Sequence, residues 1–209
     1  MKYIDLETWK RKDHFRFFYQ MDYPQYNICL NIDITHFLEF VKVQNLPFYY
    51  AMTHAVMKIV NTMDEFKYRI REGKVVLHDR VDPSFTDMDK DDDLFKIVTV
   101  NFKDNLREFV EYAQKISSGQ KEYFGDGKLK KRDDLIYITC IPWISFTHVS
   151  HTINLNNNDS VPRISWGRYY KEGEKVLLPF SVQVSHALAD GYHVGMYVGK
   201  LQDYLDTIK

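Results

Sequence analysis

The segment that most constrains the fold lies near the end of the chain, where a long apolar strand runs into a helix. Residues 176–184 read Val-Leu-Leu-Pro-Phe-Ser-Val-Gln-Val, and a helical pattern extends from Gly191 to residue 208. The turn residues 172–174, Glu-Gly-Glu, precede the apolar run and predict that it is the second strand of a hairpin. The chain is therefore expected to combine a sheet with helices.

The remaining periodic segments mix strands and helices without strict alternation. Strands are predicted at residues 28–34, 95–102 and 135–141, a hairpin at 68–78, and helices at 47–63 and 105–117. No internal repeat, low-complexity linker or change of composition marks a domain boundary. The sequence predicts one domain over residues 1–209, with an α/β (α+β two-layer) fold in which a mixed sheet packs with helices.

Charge and composition exclude several classes of protein. The 28 Lys and Arg residues balance 29 Asp and Glu residues, which predicts neither a nucleic-acid partner nor an anionic membrane. No apolar run is long enough to span a membrane, and no secretory signal precedes the first acids, so a cytoplasmic protein is expected. Two cysteines are too few for a disulfide framework and lack metal-site spacing. Aromatic residues, at 15%, are plentiful enough to line a pocket.

The strongest chemical signal is His186, which stands where the apolar strand gives way to the last helix. Element ends commonly display reacting groups, and an imidazole can act as a general base near neutral pH. Two other interpretations compete with this one. The histidine could simply lie beside a helix capped by Asp190, or it could join Asp190 and His193 in a metal site.

A family resemblance favours the general base. Residues 183–193, Gln-Val-Ser-His-Ala-Leu-Ala-Asp-Gly-Tyr-His, resemble the active-site segment of the chloramphenicol acetyltransferases, Gln-apolar-His-His-Ala-x-x-Asp-Gly-aromatic-His. Dihydrolipoyl acyltransferases and peptide-synthetase condensation domains share the shorter His-x-x-x-Asp-Gly motif, but they are usually larger. Four other segments also resemble the family in the expected order: Trp9-x-Arg11-x-x-His14-Phe15, Val81-Asp82-Pro83-x-Phe85-Thr86, Ile141-Pro142-Trp143 and residues 177–184. The resemblance therefore covers essentially the whole chain.

The resemblance implies a catalytic set for acetyl transfer from acetyl-CoA, without a metal. His186 would remove the proton from an acceptor hydroxyl, with its tautomer held partly by its own backbone carbonyl. Asp190 would pair with Arg11 as a brace. Thr139 stands where the family commonly has a serine that donates a hydrogen bond to the oxyanion. Ser185 replaces the first histidine of the family's pair.

The resemblance also implies binding residues and an assembly. Trp143, Tyr169 and Tyr49 match positions along the coenzyme A channel. The acceptor pocket would be lined by Phe17, Phe18 and Phe95, with His151 and Lys96 in or near it. Arg163 falls where an apolar pocket residue is expected, and an unpaired charge there would be costly, so either it points elsewhere or the acceptor is more polar. The family forms homotrimers whose active sites lie between the histidine of one subunit and the pocket of the next.

Three functions follow for testing. The first is O-acetylation of chloramphenicol, which inactivates the antibiotic. The second is acetylation of a different, more polar hydroxylated acceptor. The third is a relative that binds the coenzyme or the drug without turnover, an interpretation suggested by Ser185, Thr139 and Arg163.

Overall fold

Strands and helices are interspersed along the chain without strict alternation. The computed structural model describes residues 1–88, 93–125, 132–153, 155 and 158–209. In chain order the elements are β1 (Lys2–Tyr3), α1 (Lys12–Tyr19), β2 (Gln25–Asp33), α2 (Thr35–Val43), α3 (Phe48–Val60), a 3₁₀ turn (Asp64–Phe66), β3 (Tyr68–Arg71), β4 (Lys74–Leu77), β5 (Asp82–Met88), β6 (Phe95–Thr99), α4 (Leu106–Gly119), β7 (Leu135–Ile141), β8 (Arg163–Gly167), β9 (Tyr170–Glu172), β10 (Lys175–Ser185) and α5 (Gly191–Thr207).

The large sheet has the strand order β2-β10-β8-β7-β5-β6, and β9 pairs with the beginning of β10. Strand β7 runs parallel to both of its neighbours, β5 and β8, whereas the other pairs are antiparallel. A second sheet contains β1, β4 and β3. The mixed sheet packed with helices confirms the predicted fold class. No helix among the described residues is long and apolar enough to cross a membrane.

The two faces of the large sheet differ in chemistry because side chains alternate along each strand. Phe180, Val182 and Val184 of β10 belong to the buried core that also contains apolar residues of α2, α3, α4 and α5. The intervening residues, Ser181 and Gln183, lie on the opposite face, where they are also buried. We call this opposite face of the sheet the polar face. It comprises Ser181, Gln183 and the residues that pair with them on the neighbouring strands.

Parts of the segment between β7 and β8 contact the polar face. Asn27 of β2 donates a hydrogen bond from Nδ2 to the carbonyl of Val149 at 2.7 Å. His151 Nε2 lies 3.4 Å from Ser165 Oγ on β8. The backbone carbonyl of Asp159 accepts a hydrogen bond from the side chain of Gln25. The polar face is therefore a second interior surface of the molecule.

Most predicted elements are present, but β1, α1, α2 and β5 were not predicted from the sequence. Helix α2 begins after Ile34, whose side chain cannot cap it, and it buries Phe37, Leu38 and Val41. Its aromatic and β-branched residues are weak helix formers, so packing rather than intrinsic propensity determines its conformation. The strand predicted at 95–102 ends at Thr99, three residues early.

Candidate active site

The turn that presents His186 is anchored at both ends. Strand β10 ends at Ser185, and the His186 backbone N–H donates to the Pro24 carbonyl at 2.7 Å. Asp190 caps α5 by accepting a hydrogen bond from the Tyr192 backbone N–H at 3.2 Å. These contacts hold the short connection between strand and helix in one conformation.

Arg11 makes three contacts with this turn. Its Nη1 lies 2.7 Å from Asp190 Oδ2, so the ion pair implied by the resemblance is present. Its Nη2 donates to the His186 carbonyl at 2.8 Å, and its Nε donates to the Ala187 carbonyl at 3.2 Å. The side chains of Arg11 and Asp190 are 12% and 28% exposed. One guanidinium therefore ties the backbone of the catalytic candidate to the cap of α5.

Two aromatic rings flank the imidazole of His186. Phe18 stacks on it with 3.9 Å between ring centroids and 6° between planes, and Tyr26 lies at 4.6 Å with a 39° tilt. The resemblance implied a bond between the imidazole and its own carbonyl, and this expectation is not met. That carbonyl accepts from Arg11 instead, and the buried Nδ1 has no hydrogen-bond partner among the described residues. Ring packing and backbone anchoring, rather than a bond to Nδ1, orient the side chain.

Asp190 contacts His193 as well as Arg11. His193 Nδ1 lies 2.8 Å from Asp190 Oδ1, and His193 Nε2 lies 3.6 Å from Glu65 Oε1 on the 3₁₀ turn. Burial raises the pKa of Asp190, but the hydrogen bond from Arg11 and the nearby His193 outweigh it, so the net pKa is lowered. No cluster of three or more His, Cys, Asp or Glu side chains suited to a metal occurs in the part of the chain that is described.

A second group of candidate residues lines a cavity of about 330 Å³ on the polar face. Thr139, Phe95 and Arg163 all border it. The complete lining is Ser84, Phe85, Thr86, Phe95, Ile97, Tyr137, Ile138, Thr139, His151, Thr152 and Arg163. The cavity has the size of a small organic ligand and places the Thr139 position at its wall.

The charge of Arg163 is paired. Its Nη2 lies 2.8 Å from Asp159 Oδ2, and its Nη1 donates to the Val161 carbonyl at 3.2 Å. The alternative that Arg163 points elsewhere is therefore wrong, because it borders the cavity. A more polar acceptor stays a prediction, and the charge that faces it is paired with Asp159. Burial lowers the pKa of the neighbouring His151, and the Arg163 charge lowers it further. Lys96 does not border this cavity, and its ammonium group donates to the Ser117 carbonyl at 2.8 Å.

The three candidate coenzyme residues differ in exposure. The side chains of Trp143 and Tyr169 are 62% and 42% exposed. Their segments are neighbours, because the Arg168 backbone N–H donates to the Ile144 carbonyl at 2.8 Å. Tyr49 instead packs among core rings, with its centroid 5.8 Å from that of Trp166, and its hydroxyl donates to the Thr86 carbonyl. Trp143 and Tyr169 therefore present ring surface to solvent, whereas Tyr49 contributes to the core behind them.

The predicted site residues form two groups that lie far apart within one chain. Thr139 pairs with Ser165, Ser165 pairs with Ser181, and His186 follows Ser181 by five residues. Strand geometry separates Thr139 from His186 by roughly 16 Å along the strands and about 10 Å across them. Arg11, Asp190 and Phe18 surround His186, and the adjoining Phe17 on α1 is 63% exposed.

Sequence reasoning missed several residues of these groups. His193 entered only the metal interpretation, although its position three residues after the cap is typical of a capping contact. Asp159 precedes Arg163 by four residues in a non-helical segment, so spacing alone did not indicate the pair. Tyr26 reaches His186 because β2 pairs with β10, a contact between distant parts of the chain that only the structure reveals. Burial raises the pKa of Tyr26 to about 12 and keeps its hydroxyl neutral.

Comparison with known proteins gives a consistent result. A family model described as Chloramphenicol acetyltransferase matches residues 1–202. A chloramphenicol acetyltransferase from Klebsiella sp is 32% identical over 206 residues, covering 97% of this chain and 93% of the relative. One from Escherichia coli is 33% identical over 208 residues with the same coverage. A solved chloramphenicol acetyltransferase structure has the same fold, with a TM-score of 0.88, 24% identity, and coverage of 98% of this chain and 99% of that one.

Proposed function

This chain belongs to the chloramphenicol acetyltransferase family, and we propose that it transfers the acetyl group of acetyl-CoA to a hydroxyl group of chloramphenicol, which inactivates the antibiotic. The observation that carries the proposal is the presentation of His186. Its backbone is tied to Arg11, and its ring is packed by Phe18 and Tyr26. An imidazole fixed at an element end suits proton abstraction from a bound alcohol.

In the proposed reaction His186 acts as the general base. The imidazole takes the proton of the acceptor hydroxyl while the hydroxyl oxygen attacks the thioester carbonyl carbon. The carbonyl electrons move onto oxygen, giving a tetrahedral oxyanion, whose collapse breaks the carbon–sulfur bond. The departing CoA thiolate takes the proton back from the imidazolium and leaves as the free thiol. No covalent enzyme intermediate is needed, and the base is regenerated.

We assign the oxyanion contact to Thr139. Its hydroxyl stands at the wall of the cavity, and a donor placed there stabilises charge that appears only in the tetrahedral state. Phe95 and Arg163 would contact the acceptor in the same cavity. Phe17 and Phe18 would contact it from the side of the base, because Phe18 stacks directly on His186.

The distance between the two groups supports an assembled site. His186 and Thr139 of one chain are too far apart to act on the same carbon, so each site needs the base of one copy and the cavity of another. We propose a homotrimer with three such shared sites, in agreement with what the family resemblance implies. Because acetyl-CoA is an intracellular metabolite, we place the enzyme in the cytoplasm.

The coenzyme would approach along the exposed rings of Trp143 and Tyr169. These rings offer flat surfaces on which an adenine or a pantetheine arm can pack. Tyr49 would support the channel from behind, since its hydroxyl is already bonded to the backbone of β5.

The experiment that tests the proposal measures thiol release from acetyl-CoA by the purified protein, with and without chloramphenicol. We expect release that depends on chloramphenicol and is almost abolished by His186→Ala, with unchanged thermal stability. His36→Ala is the matched control, because this exposed histidine lies on α2, which contacts β10 at Val176, the end opposite His186, and its ring hydrogen-bonds to the Ile208 carbonyl. Full activity of His186→Ala would contradict the assignment of the base.

A second candidate acceptor is favoured by the polar side of the cavity. Arg163, with its Asp159 partner, and His151 give this wall more hydrogen-bonding groups than an apolar ligand uses. A panel of hydroxylated acceptors, assayed by the same thiol release, tests it. Binding of acetyl-CoA without release by any acceptor would instead support a non-catalytic relative.

A further inference from the structure

We infer that the Arg163–Asp159 ion pair makes the cavity beside Thr139 selective for uncharged acceptors with an apolar ring and a polar end. The same geometry implies that loss of the Asp159 charge redirects the cavity toward carboxylates. This inference rests on the proposed function, because it takes the cavity as the acceptor site. It goes beyond that function by assigning the Asp159 charge a part in acceptor specificity.

The cavity contains one formal charge. Among its described lining residues only Arg163 carries a permanent charge, and Asp159 neutralises it from outside the lining. Both side chains are 11% exposed, so solvent screens the pair weakly. The Asp159 backbone is itself fixed, since its carbonyl accepts a hydrogen bond from Gln25 on β2. The pair is therefore a built part of the wall.

The guanidinium retains hydrogen-bonding capacity. An arginine has five N–H groups, and Arg163 uses three of them on Asp159 and the Val161 carbonyl. The Nε–H and one Nη2–H group have no partner among the described residues. The guanidinium carbon also lies 5.6 Å from the centre of the Tyr137 ring, which borders the cavity. The wall can therefore donate to carbonyl or hydroxyl oxygens of a ligand without gaining net charge.

The other lining residues define the rest of the ligand. Phe95 and Ile97 offer apolar surface to an aryl ring, and the volume of about 330 Å³ accommodates a ring with one substituent at each end. The neighbouring His151 is held toward its neutral form, because burial lowers its pKa and the Arg163 charge lowers it further. It therefore adds hydrogen-bonding groups rather than a second positive charge.

Charged acceptors are disfavoured for a simple electrostatic reason. A carboxylate placed on Arg163 would compete with Asp159 and leave one buried negative charge without a partner. An ammonium group would face the guanidinium directly. Either arrangement is costly where water is excluded, whereas an uncharged amide or hydroxyl loses little. Removing the Asp159 charge would free the guanidinium for a carboxylate ligand.

Three matched probes test the inference: 4-(hydroxymethyl)benzamide, 4-(hydroxymethyl)benzoate and 4-(aminomethyl)benzyl alcohol. They share a ring and a primary hydroxyl and differ in charge. Calorimetry in the presence of CoA gives their dissociation constants for the wild type, Asp159→Asn and the doubly neutral Asp159→Asn/Arg163→Gln variant. Asp203→Asn, at an exposed acid on α5, controls for net charge.

We expect the wild type and Asp203→Asn to bind the amide at least about tenfold tighter than either ion. Asp159→Asn should shift the ratio of the affinities for the carboxylate and the amide by at least about tenfold in favour of the carboxylate. The double variant should again bind the amide most tightly. An unchanged order in Asp159→Asn, a wild type that prefers an ion, or no binding of any probe would overturn the inference.

The outcomes separate this inference from the proposed function. Because binding is measured without turnover, the expected order of affinities can be obtained even when the protein releases no thiol from acetyl-CoA in the presence of chloramphenicol. That result would reject the proposed reaction and keep the selectivity. Chloramphenicol-dependent thiol release, together with an unchanged order of probe affinities in Asp159→Asn, would keep the proposed reaction and reject the selectivity. Thermal unfolding of the double variant checks that the charge change, and not a folding defect, explains the shift.

Discussion

At the scale of single residues, Arg11 is central to the candidate site, because it binds two carbonyls and a carboxylate of the same turn. An interior arginine in this position needs all of its partners, since a guanidinium without them would remain buried and unpaired. We therefore expect the backbone of His186 to depend on this side chain, which acts on the reaction through position only.

Asp190→Asn tests this brace. The amide keeps the helix cap but removes the charge facing Arg11, so we expect a loss of about 1–2 kcal/mol in the free energy of unfolding and a lower kcat. Denaturant unfolding and thiol-release kinetics measure the two effects. A variant with full stability and full activity would contradict the bracing role.

The same carboxylate has a defined pH dependence. The folded pKa of Asp190 lies below its ordinary value of 3.8, so its stabilising contribution is complete above that value and is lost as the pH falls through the lowered pKa. The difference in unfolding free energy between wild type and Asp190→Asn should therefore narrow below about pH 4. Unfolding curves across this acid range check it, and a constant difference would count against the linkage.

The two cysteines should differ in reactivity. Burial raises the pKa of the Cys140 thiol to about 12, which leaves almost no thiolate near neutral pH. Cys29 lies partly exposed beside a cavity on the polar face. Iodoacetamide at pH 7.5 should label Cys29 at least about tenfold faster than Cys140, as followed by mass spectrometry. Equal rates in the native protein would contradict this, and equal rates in denaturant are the control.

At the scale of elements, the close approach of β8 to the segment after β7 controls where Trp143 lies. A Cβ placed on Gly167 would come within 2.5 Å of the Ile144 carbonyl oxygen, too close for any real contact. We expect Gly167→Ala to displace the backbone that carries Trp143 and to raise KM for acetyl-CoA several-fold, with a smaller effect on KM for the acceptor.

Gly199→Ala is the matched control for that substitution. A Cβ at Gly199, in the middle of α5, meets no atom within 4 Å. This change should leave both KM values unchanged and stabilise the helix by about 0.5–1 kcal/mol. An unchanged KM for acetyl-CoA in Gly167→Ala would show that the position of Trp143 does not matter for the coenzyme.

The elements also show what the sequence could reveal. Strands β7 and β10 and helix α5 follow from apolar runs, the turn at residues 172–174 and the cap at Asp190. Helix α2 does not, because its conformation depends on burying Phe37 against distant parts of the chain. Local pattern indicates an element only where intrinsic preference and packing agree.

The candidate site also contains residues that the sequence could indicate and residues that depend on distant contacts. His186, Asp190 and Arg11 were accessible through a motif and a family resemblance, and the structure brings them together. Asp159 and Tyr26 were not, because their contacts depend on strand register and on an irregular segment. The sequence could therefore place Arg163 in the pocket but could not determine that its charge is paired.

At the scale of the whole molecule, the two groups of site residues lie on different parts of one sheet. The interval between Thr139 and His186 is fixed by hydrogen-bonded register, so side-chain motion cannot close it. We therefore expect that chains must associate before they catalyse. Dilution below the dissociation constant of the proposed trimer should abolish turnover.

Co-expression of two inactive variants tests the central claim most directly. His186→Ala chains retain the cavity of Thr139, and Thr139→Ala chains retain the base, so each supplies what the other lacks. In randomly mixed trimers with sites between neighbouring subunits, half of the sites have an intact base, and half of those also have an intact cavity. Chloramphenicol-dependent thiol release should then return to about a quarter of the wild-type value. Release no higher than the sum of the separately expressed variants would contradict the account.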